Sequence, residues 1–190
     1  MDHWDLEPDP LVALQSGDSA PFEDWVRRDA AGFLAFFRRL GASGAEAEDM
    51  VQEVFMKVFR HRDTYQPTGR FRAFAFRIAR NAWIDHRRRG AVRPASAAGG
   101  VDDEAATVPP VPDGAPGPHE RASHIELAGR VQAALGQLSD AHRMVFELGV
   151  LQELPYSEIS AMLEVPEGTV KSRMFHAVRK LRELLEEGEA

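Results

Sequence analysis

Residues 154–185 read LPYSEISAMLEVPEGTVKSRMFHAVRKLRELL, and this stretch decides the fold of the C-terminal part of the chain. Ile159 and Leu163 lie four residues apart and predict one short helix. Pro166 cannot continue that helix, but it suits the first turn of a second one. Apolar residues then recur at helical spacing and predict a long second helix with one buried side, formed by Val170, Met174, Ala177, Leu181 and Leu184.

The opposite side of this second helix is polar and mostly basic, with Lys171, Ser172, Arg173, His176, Arg179 and Lys180. A short helix, a tight turn and a helix with a free basic side predict a helix-turn-helix, whose second helix enters a DNA major groove. Arginines and lysines supply phosphate contacts, and residues near the helix start, such as Thr169, reach base edges. The alternative is an ordinary helical hairpin whose basic side is only solvated.

Residues 71–89, FRAFAFRIARNAWIDHRRR, predict a helix in which aromatic residues alternate with arginines. Bases of single-stranded nucleic acid stack on aromatic rings, and their phosphates pair with cations. A base pulled from a duplex also needs a pocket, which the loop from Tyr65 to Phe71 could supply. The alternative is that every aromatic ring belongs to the core and the arginines only keep the surface soluble.

Residues 45–59, AEAEDMVQEVFMKVF, predict a helix with an acidic side and a buried stripe that includes Phe59. Five residues lie on or near one exposed surface: Glu48, Asp49, Gln52, Glu53 and Met56. Acidic residues do not bind DNA, so this surface favours a basic protein partner. A solvated helix with favourable acids in its first turn is the alternative.

No alternating strand pattern occurs, and residues 91–121 are rich in Ala, Gly and Pro and include VPPVPDGAPGP. Such a segment cannot build a packed core. We therefore expect an all-α protein with two small helical domains, residues 10–90 and 122–187, joined by a flexible linker at 91–121. The second domain contains the helix-turn-helix.

The composition excludes several classes of protein. The chain has no cysteine, which rules out disulfides and thiol catalysis, and its seven histidines are scattered rather than at metal-ligand spacing. We expect no cofactor, no metal and no enzymatic activity, and a cytoplasmic protein without membrane insertion. The net charge of −7 hides two basic segments, and local charge decides where a polyanion binds.

The motifs, taken in chain order, resemble the sigma-70 family of RNA polymerase subunits, specifically its compact extracytoplasmic-function (ECF) group with only regions two and four. Residues 47–59 resemble region 2.2, which in the family binds the clamp helices of core RNA polymerase. Residues 71–89 resemble regions 2.3 and 2.4, which melt and read the minus-10 element of promoter DNA. Residues 154–185 resemble region 4.2, which reads the minus-35 element and docks on the polymerase flap.

The resemblance implies a set of contact residues. Polymerase contacts are expected at Asp49, Gln52 and Glu53, with Met56 beside them. The minus-10 set comprises Arg77, Arg80, Asn81, Arg87 and Arg88, with Tyr65 and Phe71 added for the base pocket. The minus-35 set comprises Glu167, Thr169, Lys171, Ser172, Arg173, His176 and Arg179. Three positions depart from the family pattern: Phe74 replaces the usual Trp, Pro155 a capping Ser or Thr, and His176 a common Arg.

The expected function is that of a sigma factor, which directs core RNA polymerase to promoters, and many relatives are held inactive by an anti-sigma partner. An autonomous helix-turn-helix regulator is the competing hypothesis, although it would need neither the arginine-aromatic helix nor the acidic side. A nuclease would need clustered carboxylates or histidines, and Asp85-His86 is the nearest approach.

Overall fold

The computed structural model describes residues 9–67, 70–92 and 118–187. All regular elements in these ranges are helical, which confirms the all-α prediction. The elements are α1 (Pro10–Gln15), α2 (Ala20–Leu40), α3 (Gly44–Arg60), a 3-10 turn (Arg62–Thr64), α4 (Phe71–Val92), α5 (Pro118–Gly136), α6 (Asp140–Phe146), a π-helical turn (Glu147–Leu151), α7 (Tyr156–Leu163) and α8 (Glu167–Glu187).

Two compact units are present, and the predicted linker falls between their helices. The first contains α1, α2 as far as Arg38, α3 and α4; the second contains α5 to α8. Helix α4 continues to Val92 and α5 already begins at Pro118, so both helices extend into the range 91–121. Residues 93–117 of the predicted linker lie outside the described residues.

The core of the first unit is built from aromatic rings on three helices. Trp25 of α2 is 2% exposed and meets Phe55 of α3 at 5.0 Å and Phe71 of α4 at 4.9 Å between ring centroids, edge to face in both cases. Phe33 of α2 stacks on Phe76 of α4 at 4.7 Å. Such pairs add specific geometry to the burial of large apolar surfaces, so they fix how α4 sits on α2 and α3.

Helix α3 begins at a capping box. The Ser43 side chain accepts a hydrogen bond from the Glu46 backbone N–H at 3.4 Å, and the Glu46 carboxylate accepts one from the Ser43 backbone N–H at 2.9 Å. Glu46 also lies 3.3 Å from His86 of α4. These contacts satisfy donors that an uncapped helix start would leave unpaired, and they join the start of α3 to α4.

The predicted stripe of α3 is buried except at Phe55, which is half-buried, and at its last residue. Met50, Val51, Val54 and Val58 are at most 9% exposed. Phe59 is 39% exposed, so its placement in the buried stripe was wrong. It lies in the last turn of α3, where the Arg62 guanidinium covers its ring at 4.4 Å and the centre of the Phe22 ring is 5.8 Å away.

The second unit packs α5, α6, α7 and α8 around small and branched side chains. The predicted stripe of α8 is confirmed from Val170 to Leu181, because Val170 and Ala177 are fully buried and Met174 and Leu181 are each 7% exposed, whereas Leu184 at its end is half-buried. Arg143 of α6 is 8% exposed, and its guanidinium donates to the carbonyls of Gly136 at 2.7 Å and Leu138 at 3.1 Å. The buried Arg143 thus donates hydrogen bonds to carbonyls at and just after the end of α5, where the helix supplies no backbone donor.

The apolar residues Val145, Leu148 and Leu151 lie where the helix changes its winding at Glu147. Residues 147–151 form a π-helical turn, with a hydrogen bond of 2.9 Å from the Gln152 N–H to the Glu147 carbonyl. Val145 and Leu148 are fully buried, whereas Leu151 is 40% exposed. The wider turn alters the angle between successive residues, and regular α spacing therefore fails here.

Helices α7 and α8 form the predicted helix-turn-helix pair. Helix α7 ends at Glu164, a non-glycine residue in the left-handed conformation with φ 55°. The Ser160 hydroxyl donates to the Val165 carbonyl at 2.6 Å, and the Pro166 carbonyl accepts from the Thr169 N–H at 2.8 Å. These bonds hold the tight turn before α8. Pro155 precedes α7 without a side-chain cap, as its lack of an acceptor predicts.

We expect Ser43→Ala to lower the free energy of unfolding by about 1 kcal/mol, because α3 loses one side of its capping box. Urea unfolding followed by circular dichroism measures this change. Ser157→Ala, at an exposed position in α7, is the control and should be nearly neutral. Equal effects of the two variants would contradict the capping role.

The cap also predicts a pH dependence. The side-chain and backbone hydrogen bonds of Ser43 lower the pKa of Glu46. A carboxyl whose pKa is lower in the folded state stabilises the fold above its unfolded pKa, and this contribution disappears as the pH falls through the folded pKa. The difference between wild type and Glu46→Gln should therefore be largest near neutral pH and shrink on acidification below about 4.5. A difference that stays constant down to acid pH would be inconsistent with this assignment.

Candidate nucleic-acid interfaces

Helix α4 carries a cationic surface on the side that faces away from the aromatic core. Arg77 and Asn81 are exposed and Arg80 is half-buried, and the exposed Arg88 continues the same surface along the helix. Ala75, Ile78, Ala79 and Ala82 are buried on the other side. Helix α4 therefore has a core side and a basic side, and a polyanion can reach Arg77 and Arg88.

Aromatic rings lie directly beside these cations. The Arg77 guanidinium is 5.6 Å from the centre of the half-buried Phe74 ring. Arg87, which is exposed, is 5.7 Å from the centre of the buried Trp83 ring. Cation–π contacts of this length orient an arginine against the ring.

Tyr65 and Phe71 lie in the core of the first unit. Their side chains are 8% and 6% exposed, and their rings are 6.2 Å apart. Tyr65 also packs on Phe74 at 4.8 Å, and its hydroxyl donates to Asp9 at 2.8 Å. Because both rings are buried, neither offers a face on which a base could stack. The sequence could not show this, because alternating aromatic residues leave the inward side undecided.

Helix α8 presents the predicted polar surface of the helix-turn-helix. Glu167, Lys171, Ser172, His176 and Arg179 are exposed, and Thr169 and Arg173 are half-buried. Residues three or four positions apart lie on the same side of a helix. The first three turns of α8 therefore present donors and acceptors on one side, from Thr169, Ser172, Arg173 and His176. This arrangement is what a recognition helix needs to read base edges.

Phe175 is a candidate contact that the sequence analysis missed. It lies on α8 beside His176, and its side chain is 64% exposed. Apolar side chains recognise the methyl group of thymine in a major groove. The available signal was its position outside the spacing of the buried stripe of Val170, Met174 and Ala177.

Exposed acids accompany several of the α8 cations. Lys171 lies 3.7 Å from Glu167, and Arg179 lies 3.5 Å from Glu183. Both pairs are exposed, so each contributes little to stability. A DNA phosphate could replace these carboxylates at small cost, because the water-screened pairs are weak.

Helix α3 displays the predicted acidic surface. Asp49 and Gln52 are exposed, and Met56 is 51% exposed. Glu53 is half-buried and pairs with Lys57 at 2.7 Å and with Arg89 of α4 at 3.8 Å. Asp49 is followed after three, four and seven residues by Gln52, Glu53 and Met56, so the four side chains form one stripe along α3. The stripe begins with a carboxylate and ends with an exposed thioether. Asp49 is thus the more accessible carboxylate for a partner.

Two further features bear on function. Within the described residues, no group of three or more histidine or acidic side chains is arranged to hold a metal ion. Across the same ranges, no helix has the length and hydropathy of a bilayer-spanning segment.

The comparisons with known proteins match both units. Residues 17–92 match Sigma-70 region 2, and residues 134–183 match Sigma-70, region 4. The first contains the surfaces of α3 and α4, and the second contains the helix-turn-helix.

Individual relatives match most of the chain. The ECF RNA polymerase sigma factor SigL of Mycobacterium tuberculosis is 35% identical over 83% of this chain and 85% of SigL. SigE of Mycolicibacterium smegmatis, also an ECF RNA polymerase sigma factor, is 34% identical over 90% of this chain; the match spans 65% of SigE. Among solved structures, CnrH in complex with the cytosolic domain of CnrY is similar, with a TM-score of 0.65, 25% identity and coverage of 93% of this chain and 95% of CnrH.

Sigma-70 regions 2 and 4 are therefore present in the expected order, and the relatives match most of this chain. The chain belongs to the sigma-70 family and is an ECF RNA polymerase sigma factor.

Proposed function

We propose that this sigma factor binds core RNA polymerase through α3 and promoter DNA through α4 and α8. The observation that carries the proposal is that α4 and α8, in the segments matched to regions 2 and 4, each bury an apolar side and expose a basic one. A protein with these two surfaces reads DNA at two places. The chain acts as a non-enzymatic initiation factor in the cytoplasm.

Helix α8 would bind the minus-35 duplex. Lys171, Arg173 and Arg179 would pair with phosphates and set the register of the helix in the major groove. Ser172, His176 and Phe175 would contact base edges, with Thr169 and Glu167 at the start of the helix. Histidine has two ring nitrogens that can donate or accept, so the base preference at this position differs from that of an arginine.

Helix α4 would act at the minus-10 element. The exposed donors of Arg77, Arg80, Asn81, Arg87 and Arg88 would hold the backbone of the non-template strand once the duplex opens. Removing any one of these cations lowers the affinity of the protein for single-stranded DNA, and the size of the loss depends on the salt concentration. Binding the open strand more tightly than the duplex shifts the equilibrium towards melting.

Helix α3 would dock on a basic surface of the polymerase, for which the clamp helices are the candidate. Asp49 and Gln52 would supply charge and hydrogen bonds, and Met56 would supply apolar contact, with Glu53 beside them. Complementary charges speed association and exclude wrong partners. Because CnrH is found in complex with the cytosolic domain of CnrY, an anti-sigma partner for this chain is also part of the proposal.

The autonomous regulator is the less favoured alternative. It would use α8 alone, whereas the match to region 2 covers residues 17–92 and includes the surfaces of α3 and α4. A gel shift with promoter duplex distinguishes the two hypotheses. A regulator binds specifically by itself, whereas the proposed sigma factor gains specific binding when core polymerase is added.

Run-off transcription with purified bacterial core polymerase on genomic fragments tests the function directly. We expect initiation at discrete promoters only when the chain is present. Arg77→Ala and Arg80→Ala should each reduce the lifetime of open complexes several-fold and lower the salt slope by about 0.7 per lost contact. Arg27→Ala, which removes an exposed cation on α2, is the charge-matched control. Open complexes as stable as those of the control would contradict the minus-10 role.

Lys171→Ala should weaken binding of the holoenzyme to minus-35 duplex at every sequence and lower the salt slope by about 0.9. Phe175→Ala should instead reduce discrimination between thymine and other bases at one position. Affinities for duplexes with single-base changes, measured at several salt concentrations, separate the two effects. Arg182→Ala, about 16 Å further along α8, is the control and should be neutral. Loss of core binding by Lys171→Ala would be inconsistent with the assigned role.

Asp49→Lys should weaken association with core polymerase by about tenfold, because a cation then faces a basic surface. Glu48→Lys has the same charge change on an adjacent exposed residue, which points about 100° away around the helix. Fluorescence titration of labelled chain with core polymerase measures both. The surface assignment fails if Asp49→Lys binds as tightly as Glu48→Lys.

A further inference from the structure

The short helix α1 is bonded to the segment that leads from the 3-10 turn into α4. Gln15, the last residue of α1, donates from its side-chain amide to the carbonyls of Arg62 at 2.5 Å and Tyr65 at 2.9 Å. Asp9, the residue before α1, accepts from the Tyr65 hydroxyl at 2.8 Å. These bonds cross 47 to 56 positions of sequence, so they define a tertiary contact rather than a local turn.

Tyr65 connects α1 to the start of α4. Its carbonyl is bound by Gln15 and its hydroxyl by Asp9, while its ring packs on Phe71 and Phe74 at the start of α4. Burial, followed by the hydrogen bond to Asp9, raises the pKa of Tyr65, so the hydroxyl remains a donor at neutral pH. A displacement of α1 would therefore be transmitted through one buried ring to α4.

Helix α1 is itself fixed in place. Leu11 is fully buried and Ala13 is 7% exposed, and α1 packs against the 3-10 turn. The second oxygen of Asp9 accepts from the backbone N–H groups of Leu11 at 3.0 Å and Val12 at 3.3 Å. The same carboxylate thus caps α1 and holds Tyr65, so its two oxygens connect both elements.

The segment that α1 holds has little regular structure of its own. Its first residues include the bond from the Thr64 N–H to the His61 carbonyl, and at its other end the Arg70 carbonyl accepts from the Phe74 N–H of α4 at 3.3 Å. Between these two bonds, no backbone–backbone hydrogen bond is present at the described residues Tyr65, Gln66 and Pro67. Gln66, Pro67 and Arg70 are exposed beside the start of α4, on whose solvent side Arg77 follows. The hydrogen bonds from Gln15 and Asp9 therefore fix the backbone on which these exposed side chains are carried.

We propose that Gln15 and Asp9 are positioning residues for the minus-10 surface: they fix the segment Arg62–Pro67 so that single-stranded promoter DNA finds a preformed site next to α4. This inference rests on the proposed function of α4. It assigns α1 a role in DNA capture although α1 itself contributes no cation to the surface. Preorganised sites bind more tightly because less order has to be imposed on binding.

Gln15→Glu is the sharpest test, since it has the same shape but directs a carboxylate at two carbonyl oxygens and removes both donors. The probe is a fork-junction DNA that carries the promoter identified by run-off transcription, with a single-stranded minus-10 region. We expect the lifetime of its complex with holoenzyme to fall about tenfold. Affinity for core polymerase and for minus-35 duplex should remain within twofold of wild type.

Tyr65→Phe keeps the ring and removes only the bond to Asp9, so it should give a smaller loss on the same fork. Gln137→Glu makes the same charge change at an exposed position in the second unit and should have no effect. If Gln15→Glu does not fold, Tyr65→Phe decides the question by the same comparison of fork and duplex.

A folded Gln15→Glu with a wild-type fork lifetime would overturn the inference. So would an equal loss of fork, duplex and core binding, because that result indicates general damage to the first unit. Failure of the proposed function looks different: wild-type holoenzyme would itself form no lasting fork complex, or Arg77→Ala would leave that complex unchanged.

Discussion

The packing of Trp25 and Phe33 against the aromatic rings of α3 and α4 is the constraint on which the first unit depends. Edge-to-face and stacked rings admit few alternative geometries, so they determine which side of α4 faces solvent. Arg77, Arg87 and Arg88 are exposed because the positions between them are filled by buried side chains. The proposed DNA surface is therefore a consequence of core packing, and a core substitution would disturb it without touching an arginine.

The first unit also keeps opposite charges on neighbouring helices. The carboxylates of α3 pair with α4 through Glu46 and His86 and through Glu53 and Arg89. Such pairs on the surface stabilise little, although they join the two helices. With a net charge of −7, the chain as a whole has limited attraction for DNA, so specific binding depends on the local surfaces being presented correctly.

Periodicity in the sequence was sufficient to predict the all-α fold and the buried stripe of α8, because the spacing of Val170, Met174, Ala177 and Leu181 has only one helical solution. It was insufficient for α4, where aromatic residues occur at too many positions to identify the inward side, and Tyr65 and Phe71 proved to be buried. It also gave no sign of the π-helical turn at residues 147–151, since that turn has another spacing. The bonds of Gln15 join residues far apart in sequence, and no local pattern predicts them. The contact residues themselves remain predictions, supported by exposure and charge.

Helix α7 has eight residues, no side-chain cap at Pro155 and a left-handed glutamate at its end. Short helices with weak ends are not stable alone in water. Its order must come from the burial of Ile159 and Met162, which are 0% and 5% exposed. The helix-turn-helix is consequently not a domain that folds by itself. Excised α7 and α8 would lose their mutual angle, and the capacity to recognise a promoter is inseparable from the integrity of the hydrophobic interior beneath it.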